Sequence, residues 1–431
     1  MGLVEIKKTE KPFKDNRKCL DINLEKDGLK NTKGYCKNID ITDRDLISRA
    51  TYNCLDGKYK RNDTLRLFSK ESGLTSNQVY CIIYRYGKEA VKWIVEKIID
   101  TIRNELLNKE LHFPPIWYKI KIDPSSFKER RIGIQNVKQQ IYDYIAVEGL
   151  KPFFCRIGVY QCAAIKGRGC SKGVRQIRRW LRNKSLTYFA KADIKKCYES
   201  IDRKLLMEFL RKHIKNDMLL WLIETIINTF DEGLSIGSYL SQFLCNLYLS
   251  QLYHEISHMH KIRKSRRNKT SEYISLIKHQ LFYMDDILLI STNSKDLHKA
   301  VKLMIKYAKD KLGLIIKVDW FISKIDNKDK EHDTKFIDMM GFRIYRWHTT
   351  IRRRTFKRIR HTFLKLGKMI AIHKFIPLVW ARRAISYWGQ IVNSDSNKFK
   401  KKYKIRKIIK ICKKVVSDYG KGKILGISAT C

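Results

Sequence analysis

Three acidic residues could do chemistry together. In Leu281-Phe282-Tyr283-Met284-Asp285-Asp286-Ile287-Leu288-Leu289-Ile290, two adjacent carboxylates interrupt an otherwise apolar, strand-like run. Such a pair is costly in apolar surroundings unless a cation or solvent neutralises it. Divalent magnesium, which prefers carboxylate and water oxygens, is the natural counter-charge, with manganese as the substitute. A third acid, Asp193, closes a second apolar run in Ala192-Asp193-Ile194-Lys195-Lys196-Cys197-Tyr198. If the two runs lie side by side as strands, Asp193 and Asp285 can share a pair of metal ions about 3.5–4 Å apart. That arrangement serves in-line phosphoryl transfer, which asks little of a protein beyond positioning and charge stabilisation. Taken singly, Asp285-Asp286 is also what a solvated turn looks like, and Asp193 what a helix cap looks like.

The surrounding pattern says which elements must position these acids. Residues 186–194 read as a strand ending at Asp193, and the apolar runs flanking Asp285-Asp286 read as a hairpin with both acids at its turn. Asp202 is placed to cap a helix whose apolar face holds Leu205, Leu206, Phe209 and Leu210. Gly233 and Gly237 bracket a loop before a helix bearing Leu240, Phe243, Leu244 and Leu247. Upstream, residues 42–107 have helical periodicity, with Thr42-Asp43-Arg44-Asp45 as a cap and Val79, Ile82, Ile83 and Tyr86 on one face. Beyond Pro114-Pro115, residues 116–122, the turn-like Asp123-Pro124-Ser125-Ser126 and Arg130-Arg131-Ile132-Gly133-Ile134 form a hairpin with cations on its rim. The first forty residues read as a loosely ordered arm, and the chain after Tyr345 as basic helices. No internal repeat is visible.

Composition narrows the function class. The 431 residues carry 90 Lys+Arg against 43 Asp+Glu, a formal net charge of +47. A particle so charged repels itself unless a polyanion neutralises it, and nucleic acid gains binding free energy by releasing condensed counterions. The charge is spread along the chain rather than gathered on one amphipathic segment, which argues against a membrane-surface role. No apolar stretch approaches a membrane span, and the first residues, Met1-Gly2-Leu3-Val4-Glu5-Ile6, carry neither a signal core nor a myristoylation pattern. The 11 cysteines include no Cys-x-x-Cys pair, and Cys155, Cys162 and Cys170 fit no common zinc spacing. Reduced core thiols in a cytoplasmic protein are the expectation.

Three motifs in order now carry a resemblance. Tyr283-Met284-Asp285-Asp286 resembles the Tyr-x-Asp-Asp signature of reverse transcriptases. Asp193 with Tyr198 five residues later resembles the preceding palm motif. Between them, Ile236-Gly237-Ser238-Tyr239-Leu240-Ser241-Gln242 resembles the family's Gly-x-x-x-Ser element. The resemblance implies an RNA-directed DNA polymerase in which Asp193, the neighbouring Ile194, Asp285 and Asp286 surround two magnesium ions. It implies an incoming dNTP bounded by Arg131, Lys128, Tyr198, Ile236, Gly237, Gln242 and Lys317. Tyr198 would be the steric gate against a 2′-hydroxyl, Arg131 the fork on the triphosphate, and Lys317 a proton donor to pyrophosphate. Template and primer would meet Arg168 in Lys166-Gly167-Arg168-Gly169, Ser241, Tyr283, and Met340-Gly341 of a primer-grip hairpin. Each of these residues has a plain structural reading beside it: a core tyrosine, a solvated cation, an ordinary turn, a buried strand.

Departures from the family pattern point further. Most reverse transcriptases carry Gln before the motif's Gly and Pro after its Ser; here those positions are Ile236 and Gln242. The Ile-Gly-x-x-x-Ser-Gln form resembles the reverse transcriptases of diversity-generating retroelements, as do Ser386-Tyr387-Trp388-Gly389-Gln390 with Asn393-Ser394. That subgroup implies error-prone copying of a template RNA and a basic oligomeric accessory protein. Losing the polar contact of a glutamine to the incoming sugar would cost about 1 kcal/mol of discrimination. Against this, Gln135, Gln139 and Gln140 replace the Pro and acidic-basic pair usual in the fingers motif. The basic insert at residues 261–269 is also unusual and reads as a loop, with RNA binding as the other reading.

The expected fold is α+β, a right-hand polymerase: an N-terminal arm and helical extension (residues 1–110), fingers (111–185), a palm with an antiparallel sheet (186–345) and a basic helical thumb (346–431). Template RNA and the RNA–DNA duplex would lie across the basic concave face, held through phosphates and A-like shape. A phage-defence or retron-type reverse transcriptase, or a non-catalytic RNA-binding scaffold on the same fold, are the alternatives.

Overall fold

The computed structural model describes residues 34–122, 129–264, 271–325, 336–373 and 375–420. The first 33 residues, the turn Asp123-Pro124-Ser125-Ser126 and Lys128 lie outside the described residues, as does most of the basic insert's centre.

The chain begins with four helices: α1 (Arg44–Leu55), α2 (Asn62–Ser72), α3 (Ser76–Tyr86) and α4 (Lys92–Asn108). Their starts are set by side chains that accept from otherwise unsatisfied backbone N–H groups. Asp43 accepts from the amides of Asp45 and Leu46, and Thr75 with Gln78 forms a reciprocal capping box. In α4, Ile94, Val95, Ile98, Ile99, Ile102 and Leu106 repeat at helical spacing and are buried. The expectation for α3 holds for Val79 and Ile83 but not for Tyr86, which is exposed. Tyr86 is the last residue of the helix, and Gly87 at φ +82° turns the chain away there.

Next come the hairpin β1 (Trp117–Ile122) and β2 (Glu129–Ile134), then α5 (Val137–Leu150). Helix α5 is buried on almost every side, against α1, α9 (Asp217–Ile227) and α10 (Tyr239–His258), and even its Gln139 and Asp143 lie inside. Short strand β3 (Gln161–Cys162) and helix α6 (Cys170–Leu181) lead into the central sheet.

That sheet has five strands in the order β3-β7-β8-β4-β9, with β4 (Tyr188–Asp193), β7 (His279–Tyr283), β8 (Asp286–Ser291) and β9 (Phe321–Lys324). The sheet is mixed rather than purely antiparallel, because β3 runs parallel to β7. Both faces are covered, so the apolar runs are continuous instead of alternating. On one face Ala190, Ala192, Phe282, Ile287 and Leu289 pack with residues of α10 and α11 (Ser294–Leu312), such as Leu244 and Val301. On the other, Phe189, Leu281, Leu288 and Ile290 join a second core with Met339, Phe342 and Phe363. This second core is completed by the small sheet β10 (Ile337–Met339), β11 (Phe342–Ile344) and β12 (Thr349–Ile351), and by helices α12 (Arg353–His373), α13 (Leu378–Val392), α14 (Asn397–Lys402) and α15 (Ile405–Gly420). Helices α7 (Cys197–Ser200) and α8 (Arg203–His213) follow β4, and Asp202 caps α8 by accepting from the amides of Lys204 and Leu205.

The basic insert corrects its sequence reading. It is not a plain loop: β5 (His260–Lys264) pairs with β6 (Ser271–Ser275), Ile262 opposite Tyr273. Among the basic residues, Ile262 and the β-favouring Tyr273 and Ile274 supply the alternation that pairs the strands. No helix of the described residues is long and apolar enough to cross a membrane.

One close approach ties β2 to the loop before α10. A Cβ on Gly237 would lie 1.7 Å from the Gly133 carbonyl oxygen, and one on Gly133 would lie 2.3 Å from Ser235 Oγ. Only glycine permits backbones this near. Gly237→Ala should therefore destabilise the chain by about 1–3 kcal/mol, the usual cost of overpacking. Gly367→Ala, inside α12 with nothing within 4 Å of its added Cβ, should instead be neutral or stabilise by up to about 1 kcal/mol. Chemical denaturation of the two variants beside the wild type measures both signs.

Candidate active site

Strands β4 and β8 run antiparallel through six residue pairs, from Tyr188 opposite Ser291 to Asp193 opposite Asp286. The hairpin between β7 and β8 closes with Tyr283 opposite Asp286, leaving Met284 and Asp285 as the turn. Met284 takes φ +55°, an unfavourable region for a side chain of its size. The strands hold it there, with Asn246 Nδ2 on α10 at 3.3 Å from Met284 Sδ and the Ile194 amide donating to the Asp285 carbonyl at 3.1 Å. The three acids therefore meet at one end of the sheet.

Their charges are compensated by lysines. Lys317 donates its backbone amide to the Asp193 carbonyl at 2.8 Å and ion-pairs with the Asp193 carboxylate through Nζ. Lys191 Nζ lies 3.2 Å from Asp286 Oδ1 and donates to the Asp338 carbonyl at 2.6 Å. Burial and the neighbouring Asp193 push the Asp285 carboxyl up to about 6. Burial also raises Asp286, with Lys191 opposing it.

This donor set fits a divalent cation. Two ammonium groups already sit on Asp193 and Asp286, and burial beside Asp193 raises the Asp285 carboxyl, so a cation between Asp193 and Asp285 would relieve both effects. Among the described residues, no three His, Cys, Asp or Glu side chains are gathered around one point, since Asp286 turns to Lys191. Asp193 and Asp285, which face each other, are the pair that would hold a cation between them.

A cleft of about 590 Å³ opens beside α7, lined by Tyr118, Ile120, Arg131, Lys196, Glu199 and Ile236 among others. Arg131 is half-exposed there, its guanidinium 3.8 Å from the centre of the Tyr118 ring and 2.5 Å from Asp231. Tyr198 is partly buried against the first core, and burial raises its phenol. Its carbonyl accepts from the Leu234 amide at 2.8 Å, pinning the cleft loop to α7. Gly237 and Gln242 border the same loop and the first turn of α10, where the Gln242 carbonyl accepts from Asn246 Nδ2 at 3.0 Å.

Other expected contacts are not presented to a ligand. Arg168 is buried and donates to the carbonyls of Ile157 at 3.2 Å and Gly158 at 2.8 Å; it braces the turn from inside rather than reaching a template. Ser241 is also fully buried, with its amide donating to Ser238 Oγ, because the first turn of α10 packs into the core. Tyr283 lies partly buried against the second core. Met340 and Gly341 do form the tip between β10 and β11, both at positive φ, with the Gly341 carbonyl accepting from the Arg352 amide. Sequence reasoning missed Lys191, Asp231, Asp143 and the Arg352–Asp338 pair at 2.5 Å. Lys191 was within reach of it: two residues before Asp193 on a strand, it shares that residue's face.

Comparison with known proteins agrees with this geometry. Residues 122–320 match the family described as reverse transcriptase (RNA-dependent DNA polymerase). A curated relative, an uncharacterised 91 kDa protein in a cob intron of Schizosaccharomyces pombe, is 27% identical over 170 residues, covering 37% of this chain. The match spans only 20% of that protein's length. Among solved structures, telomerase of Candida albicans in complex with a fragment of telomeric RNA aligns with 12% identity and a TM-score of 0.36, over 60% of this chain and 50% of that one. An apo telomerase of Candida tropicalis truncated from its C-terminal domain aligns with 14% identity and a TM-score of 0.38, over 66% and 72%. Within an α+β chain, residues 122–320 thus match a reverse transcriptase domain, whose family is the RNA-directed DNA polymerase class of nucleotidyltransferases.

Proposed function

We propose that the chain copies a template RNA into DNA by two-metal-ion nucleotidyl transfer, with Asp193, Asp285 and Asp286 as its catalytic carboxylates. The observation that carries this reading is the β4–β8 register, which sets Asp193 opposite Asp286 beside Asp285 in the hairpin turn. In this reading residues 111–185 are fingers, 186–345 palm and 346–431 thumb, with 1–110 as an N-terminal extension. Magnesium bound at the carboxylates would supply Lewis-acid activation of the primer hydroxyl and neutralise charge on the triphosphate. Arg131 exchanges Asp231 for triphosphate oxygens, which its fork matches in geometry. Tyr198 lies under the sugar and excludes a 2′-hydroxyl. Lys317 holds a proton beside Asp193, where it can reach departing pyrophosphate. The net charge of +47 suits a phosphate-rich duplex.

A finer reading is that synthesis is error-prone and serves a diversity-generating retroelement, with a structured template RNA and a basic oligomeric accessory protein as partners. Its support is Ile236, an apolar side chain lining the cleft where glutamine would offer a hydrogen bond. An intron-borne reverse transcriptase is the second reading, favoured by the similarity to the cob-intron protein.

Primer extension on an RNA template with dNTPs and magnesium tests the activity. Wild type should extend, and Asp285→Ala should lose extension on the order of a thousandfold or more. Extension by Asp285→Ala at the wild-type rate would overturn the catalytic assignment. In the same assay Ile236→Gln should lower misincorporation roughly fivefold, the equivalent of about 1 kcal/mol; an unchanged error spectrum removes the fidelity argument.

The metal assignment has its own test. Asp285 is raised from 3.8 to about 6 on folding, so its protonated form stabilises the metal-free chain at low pH. That stability is lost as pH rises through about 6, where the crowded carboxylates must all ionise. Magnesium should therefore raise the melting temperature more at pH 8 than at pH 5, and Asp285→Asn should abolish the difference.

A further inference from the structure

Helix α5 carries one carboxylate that the proposed chemistry does not use. Asp143 is fully buried, and both its oxygens are engaged. Oδ2 accepts from Ser238 Oγ at 2.7 Å, the Tyr239 amide at 2.9 Å and the Leu240 amide at 3.3 Å. Oδ1 accepts from Gln135 Nε2 at 3.1 Å. A side chain on one helix thus caps the N-terminus of another, the 20-residue α10, where partial positive charge favours an anion. Burial still pushes this carboxyl up to about 6, against the pull of the four hydrogen bonds.

The position of this group gives it a consequence at the cleft. Gln135 follows β2, four residues after Arg131, and Ser238 stands two residues after Ile236. Arg131 and Ile236 line the same cleft from opposite elements. Between them, the Gly133 carbonyl meets Gly237 so closely that no Cβ fits. Next along α5, Tyr144 stacks on Tyr239 with ring centres 4.0 Å apart. Among these contacts Asp143 bonds directly to both sides.

We infer that Asp143 is a positioning residue that sets the spacing of the nucleotide cleft by latching the end of β2 to the 235–240 loop. The inference rests on the reading of that cleft as the dNTP site. Loss of the latch lets Arg131 and Ile236 drift apart, which weakens nucleotide binding without touching the carboxylates that do the chemistry. Templates and primers, held elsewhere, are unaffected.

The test uses the full chain with three variants. Asp143→Ala leaves the Ser238, Tyr239 and Leu240 donors buried without an acceptor and should raise KM for dNTP on the order of tenfold. kcat and KM for primer–template should stay within about twofold. Asp143→Asn keeps one acceptor oxygen for those donors, and its amide can donate to Gln135 Oε1, which accepts no hydrogen bond among the described residues; KM should return to within about twofold of wild type. Gln135→Met, which cuts only the β2 side, covers the case in which Asp143→Ala does not fold, and should raise KM for dNTP alone. Equal loss in Asn and Ala variants, or equal effects on dNTP and primer–template, would overturn the latch. Hydrogen exchange reads the same contact without polymerisation. Amides of residues 129–135 and 235–241 should exchange faster together in Asp143→Ala or, failing that, Gln135→Met, and unchanged exchange also overturns the inference. Faster exchange in a chain whose wild type extends no primer sinks the polymerase reading and leaves the latch standing.

Discussion

The whole arrangement turns on crowding negative charge where water is scarce. Asp193, Asp285 and Asp286 are brought to one end of a sheet whose two faces are both buried, so none can be fully solvated. Like charges in that setting are tolerated only if cations stand among them. Lys191 and Lys317 meet part of the demand. A polymerase needs a site that attracts cations strongly yet is formed before they arrive. Here the β-sheet supplies rigidity at the end where the three carboxylates meet.

The lysines also link the site to the rest of the molecule. Lys191 touches Asp286 and, through the Asp338 carbonyl, the β10–β11 hairpin; Asp338 in turn holds Arg352 at the start of α12. The hairpin and the C-terminal helices therefore share a polar path to the carboxylates as well as the second apolar core. On the opposite side, α5 joins the β1–β2 hairpin to the loop before α10, by the Gly133–Gly237 approach and by the buried Asp143. The sheet positions the carboxylates, while the cleft loop is held both by α5 and by α7, whose Tyr198 carbonyl accepts from the Leu234 amide.

The C-terminal helices display many exposed cations, such as Arg353, Arg354 and Arg360 on α12 and Lys401 and Lys402 on α14. Since polar and ionic contacts on such surfaces are screened by salt, their weight in duplex binding depends on ionic strength, unlike the desolvated site at the sheet end. Two regimes of electrostatics coexist in one chain: a diffuse, exposed positive field, and a short-range, buried one around the three carboxylates.

Local pattern was enough to read the strand ending at Asp193, the hairpin around Asp285, the caps at Asp43 and Asp202, and the β1–β2 hairpin, because each depends on residues near in sequence. The hairpin at the acid pair was legible for the same reason, but its turn is Met284-Asp285, and Asp286, read as part of the turn, already belongs to β8. What faces what was not legible. Arg168 looked like a phosphate contact in a glycine-rich turn, yet it lies inside, bonded to carbonyls of Ile157 and Gly158. Ser241 matched a motif but is buried by the packing of α10, and the basic run at 260–264 became a strand only because residues 271–275 supply its partner. Asp143 carries no motif at all, and its importance comes from three donors almost a hundred residues away in the chain. Residue types and spacing determined the chemistry this chain can attempt. Which charges are desolvated, and which partners compensate them, was decided by tertiary packing, because burial is a property of neighbours that are distant in sequence.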